Sequence, residues 1–217
     1  MTTSHGDVYT FVYIFIYMGK ELDSDFYNEV FKNGGSEGMY FLSYDQTPWV
    51  NVWNEIIDYI IDNGFTSVLD IGCGPGQFAD FLKNRMPDIK YTGIDFSQTA
   101  IDMAKELVPS FDFIAADAVT FDYSSVNYDI VVTTEFLEHI KGDLKILNKI
   151  KPNTTILATQ PNMDSDGHVR FYSKNIVTAE KQLIKRYGNI CNINDIKYFP
   201  YELNPTNGDY LIKMVKL

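Results

Sequence analysis

Val68-Leu69-Asp70-Ile71-Gly72-Cys73-Gly74-Pro75-Gly76 decides the fold of this chain. Ser67 to Ile71 has the length and composition of a short buried strand. It runs into three glycines at alternate positions, and Gln77 to Arg85 reads as a helix directly after them. Glycine lets a backbone turn sharply and lets a ligand approach the main chain. The helix N-terminus adds free N–H groups, and ligands in such folds sit at the carboxyl ends of strands where the strand order reverses. The spacing is G-x-G-x-G, not the G-x-G-x-x-G of a pyrophosphate-binding turn. Asp70 precedes the first glycine by two. A carboxylate there repels a pyrophosphate and suits the ammonium end of an amino-acid ligand. A tight turn without a ligand is the plain alternative.

Downstream, strands and helices alternate. Lys90 to Asp95 is a second strand, and Ser97 can cap a helix with Ala100, Ile101, Ala104 and Leu107 on one apolar face. Phe111 to Ala115 is a third strand, and Asp129 to Thr133 a fourth, buried on both faces. A helix is expected from about Glu135 to Lys149, then a fifth strand from Thr155 to Thr159 and a helix near Lys174 to Tyr187. Two last strands, near Asn192–Tyr198 and Tyr210–Val215, have a short connection and are expected to pair antiparallel. Upstream, residues 48–63 have helical spacing, with Pro48 in the first turn and Asn63-Gly64 at the end. Residues 19–47 are polar and aromatic, with a loop at 33–38. The pattern predicts an α/β fold, a mostly parallel sheet with helices on both faces.

Two further acidic positions follow strands. Asp95 lies 19 residues after Gly76, at the end of the second strand. A carboxylate there can accept both hydroxyls of a ribose; helix capping is its plain alternative. Asp117, in Ala115-Ala116-Asp117-Ala118, is placed to accept an exocyclic amino group of adenine, with Ala118 giving close approach. An Asx-turn is the alternative there.

These segments together resemble the class I S-adenosylmethionine-dependent methyltransferase family, over residues 48–160 most clearly. VLDIGCGPGQF looks like its glycine-rich motif, YTGIDFS like the motif ending in the ribose-binding acid, AADAV like the adenine-contacting segment, and DIVVTTEFLEHI like the fourth strand and active-site loop. The resemblance implies a Rossmann-like seven-stranded sheet with an antiparallel last strand and a small N-terminal helical cap. It implies S-adenosyl-L-methionine as cofactor. The glycine turn would bring Asp70, Gly72, Cys73, Gly74 and Gly76 to it. The second motif would bring Asp95 and Phe96, the third Asp117 and Ala118, and the loop after the fourth strand Glu135. The implied activity is methyl transfer to a small-molecule oxygen or nitrogen acceptor. A protein methyltransferase, a non-catalytic methyltransferase-like subunit and a nicotinamide-dependent oxidoreductase are the competing readings, the last disfavoured by the glycine spacing and Asp70.

Methyl transfer from a sulfonium is an in-line displacement, so positioning and water exclusion carry much of it. Three residues are candidates for a catalytic role. Glu135 and His139, four apart on the expected helix, share a face near the methyl group, and His139 has a near-neutral reference pKa. His168 lies in the loop after the fifth strand beside Arg170, which is placed to bind an anionic acceptor. The plain alternatives are a helix start at Glu135, a packed His139, and a loop anchored by Arg170 to a carboxylate. Tyr40, Tyr44 and Trp49 belong to an aromatic stretch that can form a lid over a sulfonium or pack as core.

Composition narrows the rest. The 217 residues carry a formal net charge of −11, which repels a phosphate backbone. Lys141, Lys145 and Lys149 fit a solvated helix face, so nucleic acid is not the expected substrate. Cys73 and Cys191 make no disulfide framework, which suits a reducing, cytoplasmic compartment. No Cys/His cluster has metal-ligand spacing, so no metal is expected. Val8 to Met18 is apolar and aromatic but too short to span a membrane, so no membrane partner is expected. Residues 1–18 read as an apolar extension, with Met18 a possible initiator. Residues 19–217 read as one domain, a cap over 19–63 on a cofactor-binding core over 64–217.

Overall fold

The computed structural model describes residues 19–217, so the expectations for residues 1–18 lie outside the described residues. The described residues place seven strands in one sheet: β1 (Ser67–Ile71), β2 (Lys90–Asp95), β3 (Asp112–Ala115), β4 (Ile130–Thr133), β5 (Thr155–Pro161), β6 (Cys191–Pro200) and β7 (Gly208–Lys216). Their order is β3-β2-β1-β4-β5-β7-β6. β1 pairs parallel with β2 and β4, and β5 pairs parallel with β4. β7 runs antiparallel to both neighbours, β5 and β6. The order reverses between β1 and β4, so a crevice opens at their carboxyl ends.

Alternation along β1 feeds both sides of the sheet. Val68 packs with Trp53, Ile56, Ile57, Phe78, Leu82 and Ile101, from helices on one face. Leu69 and Ile71 pack with Ile146, Leu147, Leu183 and Tyr187 on the other. The helices are α1 (Ser24–Lys32), α2 (Val50–Asp62), α3 (Gln77–Arg85), α4 (Gln98–Leu107), α5 (Asp143–Lys149) and α6 (Ile176–Tyr187). Among the described residues no helix is long and apolar enough to cross a membrane.

Local chemistry explains the element ends. The Ser97 hydroxyl accepts the Ala100 N–H at the start of α4, the capping expected from the sequence. Asp23 caps α1 and Asn175 caps α6 in the same way. Helix α1 lies in the segment for which the resemblance implied a helical cap, although residue spacing marked no helix there, because its polar surface hides a short amphipathic pattern. Asn28 on α1 accepts from the Ser97 hydroxyl at 2.7 Å and the Thr99 N–H at 3.2 Å, docking it on α4.

One expected helix is different. Glu135 does not begin a helix: its φ is +51°, in the left-handed region that continues no α-helix. A single 3₁₀ turn, Leu137–His139, follows, and α5 starts only at Asp143. Lys141 therefore lies ahead of α5. Lys149 donates to the Val119 carbonyl at 3.1 Å and also to that of Phe121, so it ties down a neighbouring loop.

Candidate active site

A cavity of about 330 Å³ lies over the carboxyl ends of β1, β2 and β4. One wall is main chain. Gly72 has φ +81°, and a Cβ there would sit 2.3 Å from the Phe136 ring. Gly72 and Cys73 both donate to the Ile94 carbonyl, at 2.8 and 3.1 Å, which ties the turn to β2. Gly74 has φ +52°, and nothing lies within 3.8 Å of where its Cβ would be. Its N–H donates to Asp95 Oδ2 at 3.1 Å, while Asp95 Oδ1 accepts the Ser97 N–H at 2.9 Å. The Phe96 N–H also contributes, and a carboxylate with about four acceptor sites still has room for a further donor. Burial pushes the Asp95 pKa up to about 6, against the pull of those N–H donors.

Of the residues expected to hold the cofactor, Gly72, Cys73, Gly74, Asp95, Phe96, Asp117 and Glu135 line this cavity. Asp117 also closes the Asx-turn foreseen as its alternative, accepting the Val119 N–H at 2.7 Å. Asp70, Gly76 and Ala118 are not among the lining residues. Asp70 is buried in β1, where Oδ2 accepts the Tyr91 hydroxyl at 2.6 Å and Oδ1 has no partner. Burial pushes its pKa up to about 7. Tyr91 thus takes one of its two oxygens inside the sheet, and Asp70 stands behind the cavity-lining glycines. Gly76 serves helix packing: a Cβ there would meet Ala104 of α4 at 3.0 Å. Ala118 is core, and its carbonyl accepts the Tyr123 hydroxyl at 2.7 Å.

The roof is aromatic. Tyr27 and Phe31 of α1, then Tyr40, Trp49 and Trp53, face the cavity. Phe31 and Tyr40 meet at 4.8 Å between ring centroids, and Tyr40 stacks on Trp49 at 6.4 Å. Gln77, the first residue of α3, donates to the Met39 and Leu42 carbonyls at 3.1 and 2.6 Å, so the roof is pinned to the helix that follows the glycine turn. Tyr44 is outside this roof. It stacks on Phe81 at 4.4 Å and does not line the cavity.

The opposite wall is built from buried acids and imidazoles. The Glu135 N–H donates to Thr159 Oγ, and that hydroxyl donates to Glu135 Oε1, both at 2.8 Å. Glu138 is fully buried; Gln160 donates to its Oε2 at 3.3 Å, while Oε1 has no partner. Asp209 on β7 accepts the Tyr201 hydroxyl at 2.9 Å. Burial raises the pKa of all three carboxyls, and the charge of Glu135 raises Glu138 and Asp209 further. Like charges this close in a dry site resist ionising together.

His139 lines the cavity, and its Nδ1 lies 2.8 Å from the Tyr27 hydroxyl. Burial, then the neighbouring His168, pushes its pKa down to about 3. His168 crosses it edge to face at 4.7 Å and holds its own Nδ1 3.2 Å from the Met163 carbonyl. His168 does not line the cavity, and burial lowers its pKa too. Arg170 is also outside. It pairs with the buried Asp143 at 3.3 Å and donates to the Leu137 carbonyl. Its guanidinium is spent on the anchor foreseen as its alternative, so it does not meet an anionic acceptor here.

Sequence reasoning did not single out Tyr27, Trp53, Gln77, Glu138, Tyr201 or Asp209. Glu138 and Gln77 carried local signals, adjacency to His139 and to the glycine turn. The others reach the site from remote segments.

Residues 68–152 match the family model described as a methyltransferase domain. The trans-aconitate 2-methyltransferase of Rhodopseudomonas palustris (strain BisA53) is 30% identical over 107 residues, 47% of this chain and 41% of that protein. The phthiotriol/phenolphthiotriol dimycocerosates methyltransferase of Mycobacterium tuberculosis is 31% identical over 77 residues, 35% of this chain and 28% of that protein. The chain thus matches less than half the length of these relatives. Among solved structures, the N-methyltransferase NodS of Bradyrhizobium japonicum WM9, in complex with S-adenosyl-L-homocysteine, superposes with a TM-score of 0.64 at 13% identity, over 88% of this chain and 98% of that one. The [4+2]-cyclase SpnF superposes with a TM-score of 0.62 at 17% identity, over 89% and 95%. The glycine turn, the strand order and the matched segment agree: residues 68–152 are similar to a methyltransferase domain, and the seven-stranded sheet has the Rossmann-like fold of the solved methyltransferase structures it superposes on.

Proposed function

We propose that this chain is an S-adenosylmethionine-dependent methyltransferase acting on a small-molecule oxygen or nitrogen acceptor, with residues 19–63 as its cap. The observation that carries this is the pairing of Gly74 with Asp95. An open glycine and a buried carboxylate with spare lone pairs meet at the ends of β1 and β2, facing one cavity. Gly72, Cys73 and Gly74 would hold the amino-acid end of the cofactor, Asp95 its ribose and Asp117 its adenine. When bound, the cofactor supplies a sulfonium-activated methyl group. Tyr40, Trp49 and the other roof rings suit a cation and exclude water from the displacement.

Glu135 and His139 are the cavity-facing groups placed to hold or accept a proton at the acceptor; His168 acts on the acceptor only through His139. Among the described residues, none that lines the cavity is a lysine or arginine. The carboxylate-bearing substrate named for the trans-aconitate 2-methyltransferases therefore has no cationic side chain to meet here, and a hydroxyl or amine acceptor fits better. The two free, buried cysteines suit a reducing compartment.

The test is release of S-adenosyl-L-homocysteine in the presence of small hydroxyl, amine and carboxylate acceptors. Acceptor-dependent release, lost in Asp95→Ala, is the expected result. Cofactor binding with no turnover on any acceptor class would favour a second reading. The cyclase that shares this fold supports that second reading, since the fold also carries other chemistry.

A further inference from the structure

We propose that Glu138, His139 and His168 form a site for a divalent transition-metal cation at the wall of the proposed acceptor cavity. One oxygen and two nitrogens, each able to ligate, lie within 4.8 Å of one another. The fold, not the sequence spacing, assembles them. Glu138 and His139 come from the 3₁₀ turn after β4, and His168 comes from the loop after β5.

Each side chain turns a ligating atom towards the other two. Glu138 Oε1 is fully buried, has no hydrogen-bond partner, and lies 3.9 Å from His139 Nε2. An unpaired buried carboxylate oxygen is costly to keep, and a cation removes that cost. His168 directs Nδ1 at the Met163 carbonyl. Donating there leaves the Nε2 lone pair available, the outer-shell arrangement of metal-bound histidines. His139 likewise occupies Nδ1 with Tyr27, and its Nε2 is the atom facing Glu138.

The support around the three is dense. The Val169 N–H donates to the Glu138 carbonyl at 2.8 Å, which locks the two ligand-bearing loops together. Gly167 has φ +78°, and a Cβ there would lie 2.7 Å from the Tyr27 hydroxyl and 3.2 Å from His139 Nδ1. Arg170 clamps Leu137 from the other side. Ligands around a zinc-sized ion stand roughly 3.3 Å apart, given bonds of about 2.0–2.2 Å. Small side-chain rotations close the present separations to that value.

Two imidazoles and one carboxylate select a borderline first-row ion such as zinc, manganese or iron(II), over magnesium or calcium, which prefer all-oxygen sites. Three protein ligands leave coordination positions for oxygen atoms of water or of an acceptor. The inference deepens the reading of the cavity given above. The ion would supply the positive charge its lining side chains lack and would leave Glu135 as the proton-accepting group.

The test uses the full chain freed of metal by a chelator. Co²⁺ is titrated while visible absorption is followed, Zn²⁺ is titrated by calorimetry, and Mg²⁺ serves as the control. The expected result is one Co²⁺ or Zn²⁺ per chain at micromolar Kd or tighter, with Mg²⁺ much weaker. His168→Gln and Glu138→Gln should each weaken binding at least tenfold while still binding S-adenosyl-L-homocysteine. The wild-type protein gives an independent check. Of its three histidines, His5, His139 and His168, zinc should shift the imidazole NMR resonances of the last two. Absence of saturable binding, or equal affinity in both variants, or shifts confined to His5, overturns the proposal. Binding of S-adenosyl-L-homocysteine, measured in parallel, reports separately on the methyl-donor reading.

Discussion

The two walls of the cavity are built from different materials. The wall at β1 and β2 is backbone: two glycines, two N–H donors on one carbonyl, and a single carboxylate held by N–H groups. The wall after β4 is side chain: Glu135 and His139 face the cavity, and buried Glu138, His168 and Asp209 back them from behind. A backbone wall tolerates little change, because a glycine's space and φ have no substitute. A side-chain wall can be re-equipped while the strands beneath it stay the same. That contrast suits a fold in which one half keeps a common cofactor and the other adapts to an acceptor.

The contrast can be broken by substitution. The largest effect is expected at Asp143, which anchors the side-chain wall. It is fully buried and receives Arg170 at 3.3 Å and Arg186 at 2.6 Å. Asp143→Ala leaves both guanidinium groups without their anion and should cost about 3 kcal/mol, the low end for breaking a buried pair because Arg186 is partly exposed. Urea denaturation measures this. On the backbone wall, Gly72→Ala combines a positive φ with a clash on Phe136 and should cost about 2–3 kcal/mol. Gly74→Ala has room for its methyl and should cost about 1 kcal/mol. Equal losses at the two glycines would contradict the packing described.

Next comes Asp95→Ala, which should weaken S-adenosyl-L-homocysteine binding by about 1–3 kcal/mol, roughly 10- to 100-fold. Unchanged affinity by calorimetry would mean that the ribose lies elsewhere.

Asp70 gives a pH signature. Its pKa is raised by burial to about 7, with the Tyr91 hydroxyl pulling the other way and Asp95 adding repulsion. The unfolded chain ionises near 4. Below that pH both states hold the proton, and the contribution of Asp70 to stability is fully present. As pH rises towards and through 7 the unfolded state gains from ionising first, so that contribution is lost. Asp70→Asn should therefore be more stable than the wild type at pH 8 by about 1 kcal/mol or more, with the gap closing below pH 4. Parallel stability curves across that range would refute the burial argument. The smallest effect belongs to Tyr44→Ala, whose ring stacks on Phe81 outside the cavity. Its affinity for S-adenosyl-L-homocysteine should stay within about threefold of wild type.

The backbone wall was also the legible one. Strand β1, helix α3 and strand β2 fall where the sequence pattern puts them, because apolar runs and glycine spacing encode them locally. The side-chain wall was less so. Glu135 and His139 do reach the cavity, but through a left-handed residue and a 3₁₀ turn, not along the helix their spacing suggested. Apolar residues at Leu137 and Ile140 mimic a helical stripe, and nothing local reveals that Glu135 takes a positive φ. Asp209 and Tyr201 join the site only because β7 inserts between β5 and β6, a long-range pairing that residue spacing does not carry. Asp70 differs again. Its place in the motif pointed to a ligand, and Tyr91, 21 residues on, takes one of its carboxylate oxygens.

The most direct test of the central claim is calorimetric titration of the purified chain with S-adenosyl-L-methionine and S-adenosyl-L-homocysteine, with NADH as control. The account predicts saturable micromolar binding of the first two, one per chain, and none of NADH. A folded protein that binds neither, or that prefers NADH, would contradict it.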